Sequence, residues 1–116
     1  MRKAIPLSFV IGQSQTGTAQ MNEQLTPVGV VITGSSISGS LVSFLGSDDG
    51  ASFYPVFNSS STEVTLTTTS SARSYALDPN AFLGWNHIKA RLGTSGSAKL
   101  QATYDQGILL LCKTIK

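Results

Sequence analysis

Trp85-Asn86-His87-Ile88-Lys89-Ala90-Arg91-Leu92 is the stretch that decides the fold. Ile88, Ala90 and Leu92 fall on one side of an extended chain, and His87, Lys89 and Arg91 on the other. A period of two is that of a strand with one apolar and one polar face. Read as a solvated strand face, the three basic side chains point to water.

The same grammar runs outward in both directions. Asp78-Pro79-Asn80-Ala81-Phe82 reads as a corner with one helical turn, capped by Asp78 with Pro79 at its first position. Before it come a short strand over 74–77, with Tyr75 and Leu77 on one face, and an alternating segment over 63–68 with Val64 and Leu66 on one face. Gly46-Ser47-Asp48-Asp49-Gly50 is the clearest turn, with Asp side chains capping the backbone and Gly50 supplying positive φ. It joins strands over 40–45 and 52–57. Further upstream, 28–33 is apolar on both faces, and 5–11 is a strand with Pro6 near its start, which suits a sheet edge. Downstream, 93–96 is a turn, and 99–104 with 108–113 reads as a last hairpin across Asp105-Gln106-Gly107. No stretch holds a helical period over three turns. Eight or nine short antiparallel strands at regular spacing predict an all-β chain, a single-domain β-sandwich or jelly roll over 1–116.

Composition narrows the function. Charged residues are 12% of the 116, about half the usual share of about 25%. Ser, Thr, Gly, Asn and Gln cover the surface instead, and a surface with few charges to desolvate suits broad protein contact. The formal net charge of +2, spread along the chain, gives no electrostatic footprint for nucleic acid. Arg2, Lys3, Lys113 and Lys116 lie at the two ends. No apolar run approaches the roughly 18 residues a membrane span needs. The start of the chain mimics a signal peptide faintly, but its apolar stretch is short and broken by Pro6 and Ser8, so retention is expected.

Catalytic chemistry has little to stand on. His87 is the single histidine, and it sits among cations without a nucleophile elbow nearby. The single cysteine, Cys112, follows Leu109-Leu110-Leu111, which predicts a buried, inert thiol. One Cys and one His exclude the common zinc patterns. Asp48 and Asp49 resemble a fragment of a calcium loop without its later acidic positions, so turn chemistry is the better reading. No Gly-rich phosphate loop precedes a helix, so no cofactor is expected. The expectation is a chain without enzymatic activity. Aromatic residues suffice for a core and one surface patch, and Trp85, with Tyr75 and Tyr104, is the candidate glycan platform; a core plug is the plainer reading of Trp85.

The segments Phe44-Leu-Gly-Ser-Asp-Asp-Gly-Ala-Ser-Phe-Tyr-Pro-Val56 and Tyr75-Ala-Leu-Asp-Pro-Asn-Ala-Phe-Leu-Gly-Trp-Asn-His-Ile-Lys-Ala-Arg91 carry a resemblance. The chain is similar to small β-sandwich virion proteins of tailed bacteriophages, of the capsid decoration or cement type. In outline it also resembles discoidin-like jelly-roll modules, with Phe53 just after the hairpin but without the paired cysteines that often bracket them. The resemblance covers under half of the chain and speaks more to hairpin geometry than to activity. It implies a virion structural protein on the capsid surface, made in the host cytoplasm. Its partners would be the major capsid protein and other copies of itself, and it would stabilise contacts between capsomers by avidity over many copies. Residues 1–24 would be partly an extended N-terminal arm. Its candidate contacts are Ile5, Leu7, Phe9, Gln13, Gln15, Gln20, Met21 and Gln24. The alternative is a carbohydrate-binding module of a tail fibre or baseplate.

Overall fold

The computed structural model describes residues 2–21, 25–32, 41–67, 73–82, 85–101 and 106–114. Among the described residues, ten strands form two antiparallel sheets. Sheet one takes β1 (Arg2–Phe9), β10 (Gln106–Thr114), β3 (Leu25–Ile32) and β7 (Arg73–Ala76), in that spatial order. Sheet two takes β2 (Ala19–Gln20), β8 (His87–Thr94), β4 (Leu41–Ser47) and β5 (Tyr54–Pro55), with β6 (Thr65–Thr67) also on β4 and β9 (Ser97–Ala98) on β8. A short 3₁₀ helix, Pro79–Phe82, makes the expected corner, and the Asp78 carboxylate accepts the Asn80 N–H at 3.1 Å.

The alternation of β8 is realised in space. Ile88, Ala90 and Leu92 are fully buried. They meet Val42 and Phe44 of β4, Leu7 and Phe9 of β1, Val30 and Ile32 of β3, and Ile108 and Leu110 of β10 in one core cluster. Phe44 and Phe82 pack edge to face at 5.4 Å. Burial of each such side chain contributes about 1.5–3 kcal/mol, which makes this shared core the main source of cohesion between the sheets.

Three expectations need correction. First, the N-terminal segment is no free arm. Residues 2–9 pair over their whole length with β10, from Arg2 opposite Lys113 to Phe9 opposite Gln106. The chain then crosses to sheet two, where Gln15 bridges Arg91 and Ala19 pairs with Ile88. Between those two points the chain has one residue more than β8. Thr16 fills the resulting bulge: its N–H donates to the Ala90 carbonyl at 2.9 Å and its hydroxyl accepts the Ala90 N–H at 3.1 Å. A segment with little apolar content is thus ordered by backbone pairing, and one stretch of chain closes an edge of both sheets.

Second, β10 does not form a hairpin with 99–104. It lies between β1 and β3. Lys99 instead donates to the Leu92 carbonyl at 3.0 Å, and Gln101 donates to the Gln13 carbonyl at 3.0 Å. Tyr104 and the Asp105 turn position lie outside the described residues. Third, Arg91 is not solvated. It is buried, its guanidinium Nη2 lies 2.6 Å from the Glu63 carboxylate, and its Nε donates to the Ser43 hydroxyl at 3.0 Å.

Candidate docking surface

The two sheets differ on the faces they turn away from the core. In β10, Ile108, Leu110 and Cys112 point inward and are buried, which leaves Leu109 and Leu111 half-exposed on the outside. Leu111 lies across Gly29 of β3: a Cβ at Gly29 would stand 3.5 Å from its Cδ1. Register then places Ala4 and Pro6 of β1, Val31 of β3 and Ala76 of β7 on the same outer face. Antiparallel sheets usually present a polar face to water. This one carries apolar side chains on both sides of all four strands, with Ser8 and Ser74 also facing outward, over about 14 Å at the usual strand spacing of about 4.8 Å.

One end of the face is charged. Register sets Arg2 opposite Lys113 at outer-face positions and Lys3 opposite Cys112 at core-facing positions, so basic residues from both ends of the sequence meet at one end of sheet one. Lys3 and Lys113 are exposed and flank a hollow of about 330 Å³ floored by Ala4, Val28, Leu111 and Cys112. Among the described residues neither lysine has an acidic partner; Asp48, Asp49 and Glu63 all serve sheet two. The Cys112 thiol borders the hollow but is buried, and desolvation pushes its pKa up to about 11, partly offset by the charge of Lys3. That thiol is unreactive at neutral pH.

The outer face of sheet two carries Phe53 and the exposed Phe57, but most of its polar groups answer one another. Glu63 binds Arg91 and accepts the backbone N–H and hydroxyl of Ser95, which fixes the turn between β8 and β9. The Lys89 ammonium sits 4.4 Å from the centre of the Phe53 ring. In the turn after β4, the Asp49 carboxylate accepts the N–H groups of Ala51 and Ser52 and the Ser47 hydroxyl. Those bonds hold its pKa down at about 2, and Gly50 takes the expected positive φ of 80°. Asp49 therefore works as a turn cap. His87 is an exception: its Nδ1 is buried and, among the described residues, has no hydrogen-bond partner. No base–nucleophile pair forms around it in the described contacts.

The candidate contacts on the N-terminal segment divide. Leu7, Phe9 and Met21 belong to the core, and Ile5 packs half-buried against it. The inward period of β1 claims Ile5, Leu7 and Phe9, so they are removed from any partner surface. Met21 lies 3.9 Å from the Cys112 sulfur. Gln13, Gln15 and Gln20 are exposed along the edge of sheet two. Gln24 lies outside the described residues. Surface positions that the sequence reading missed are Ala4, Pro6, Val31, Leu109, Leu111 and Ala76. The Leu-Leu-Leu run and the apolar 28–33 segment were their signal, since a strand apolar on both faces has two surfaces to cover.

The candidate glycan platform also divides. Tyr75 lies in sheet one opposite Val30, and its hydroxyl donates to the Thr67 carbonyl. Trp85 packs against Gly46 of sheet two. The ring that accompanies it is Tyr54.

No family model matches this chain, and no curated protein matches it. A search of solved structures finds the same fold in the protein described as SPBc2 prophage-derived protein YomS. The likeness has a TM-score of 0.53 at 9% sequence identity and covers 97% of this chain and 94% of that one.

Proposed function

We propose that this chain is a non-enzymatic bacteriophage structural protein that docks through the outer face of sheet one onto the capsid. There it would act as a decoration protein that strengthens contacts between capsomers. The observation that carries the reading is the contrast between the sheets: on sheet two most outer polar groups are bound to one another, whereas on sheet one Leu109, Leu111 and Val31 stand partly exposed beside Ala4 and Pro6. The shared fold with a prophage-derived protein supports a phage setting. The low charge supports a role in broad contact.

The hollow beside Lys113 gives the docking face a polarity. A partner surface that offers an apolar side chain beside a carboxylate fills the hollow and neutralises its rim. A face-to-face pairing of two copies with these ends together would set lysine against lysine, so the major capsid protein is the first partner and lateral copies the second. Sheet one's outer face would be covered in the assembled particle, and the particle surface would be the chain's location after synthesis in the host cytoplasm.

Quantitative mass spectrometry of purified particles tests the reading. The chain is expected at a fixed ratio to the major capsid protein and is expected to leave the head at high salt, as a lysine-rimmed contact weakens. Its absence from particles contradicts the proposal.

A further inference from the structure

The end of sheet two where β4 finishes and β8 begins carries a second surface that the docking role does not use. Tyr54 is 57% exposed, and its ring lies near-parallel to that of Trp85, 26° between planes and 6.5 Å between centres. Trp85 is held in one orientation. A Cβ at Gly46 would stand 2.5–2.7 Å from three atoms of the indole, so the ring lies directly on the strand and only glycine fits beneath it. The other side of its anchorage is the core, against which it packs. A ring fixed in this way loses little freedom when something stacks on it.

Two side chains at this end, Asp48 and Asn86, offer hydrogen-bond acceptors. Asn86 follows Trp85, and its side-chain amide donates to the Asp48 carbonyl at 3.2 Å and to the Asp48 carboxylate at 3.0 Å. That arrangement spends the donors of the Asn86 amide. Its own oxygen and the second oxygen of Asp48 remain to accept hydrogen bonds.

We infer that Tyr54, Trp85, Asn86 and Asp48 form a carbohydrate-binding site for a neutral pyranose. The face of an aromatic ring is electron-rich and attracts the weakly positive C–H face of a sugar ring. Sugar hydroxyls are the donors that an acceptor-lined rim requires. The exposed Asp48 carboxylate repels sulfated and uronic sugars, and the cation nearest in sequence to Trp85, Lys89, is engaged over the Phe53 ring. Two adjacent rings match one or two sugar units, far below the roughly 800 Å² per partner of a stable protein contact. The site is separate from the outer face of sheet one, so the inference stands apart from the docking role.

Trp85 is the single tryptophan of the chain, so its fluorescence reports on this site alone. The labelled full-length protein is applied to an array of neutral and acidic glycans, and the strongest neutral oligosaccharide is titrated against Trp85 emission. Signal confined to neutral glycans is expected, with saturable change in emission. Tyr54→Ala should weaken binding about five- to tenfold, the contribution of about one stacked ring, while Tyr54→Phe keeps it. Circular dichroism confirms that both variants stay folded. Signal from acidic glycans only, no array signal, or an unchanged affinity in folded Tyr54→Ala would each overturn the inference.

Discussion

The outer faces of the two sheets were built from the same pool of short strands, yet they settle their polar and apolar groups in opposite ways. Sheet two settles most of its polar groups internally: Arg91 binds Glu63 and Ser43, Glu63 binds Ser95, and Asp49 binds its own turn, with the His87 Nδ1 as the exception. Sheet one carries Leu109, Leu111 and Val31 outward and partly exposed, beside the exposed Pro6. Mutations on sheet two should therefore be felt as stability. Mutations on the outside of sheet one should be felt in assembly.

The largest effect belongs to the buried ion pair. Glu63→Ala leaves the Arg91 charge buried without its partner and should cost about 3 kcal/mol in urea denaturation. The double variant Glu63→Leu, Arg91→Met should recover most of that loss, because removing both charges also removes their desolvation. A single variant as stable as the parent would erase the contrast between the faces. Next comes Gly46→Ala, which drives a methyl group into the indole and should cost about 2 kcal/mol, with a shift in Trp85 emission. On the other sheet, Leu111→Thr should cost less than about 1 kcal/mol, since the side chain is half-exposed and threonine suits a strand. The smallest effect is Asp49→Ala. The Asp49 pKa is depressed from 3.8 to about 2, so its stabilisation is present above about pH 4 and is lost as pH falls through 2. The variant should lack this part of the acid dependence in a stability titration and should otherwise unfold like the parent.

Much of this architecture is legible in the chain because alternation is a local property. Ile88, Ala90 and Leu92 announce the core side of β8 without knowledge of the rest. The pattern tells which way Arg91 points but not what covers it: its partner Glu63 lies 28 residues away and is brought in by the outer edge of sheet two. Residues 13–20 were illegible for a different reason. They join sheet two through backbone bonds and the Thr16 hydroxyl, which leave no apolar period to read. The misassigned last hairpin has the same origin, since a strand apolar on both faces does not say which neighbours it takes. The docking face was half-visible, as the Leu109-Leu110-Leu111 run. The Trp85 platform was found with the wrong partner, because the register that places Tyr54 opposite Gly46 is set by the hairpin rather than by either ring.

The most direct measurement is the incorporation of a folded, face-disrupted protein into particles. The variant Leu109→Asp, Leu111→Asp puts two charges on the outer face of sheet one and leaves the core residue between them, Leu110, in place. With its fold verified by circular dichroism, it should be depleted at least about tenfold from purified particles relative to the parent chain, the equivalent of about 1.4 kcal/mol of binding. Incorporation at the parental ratio would show that this face is not where the protein docks.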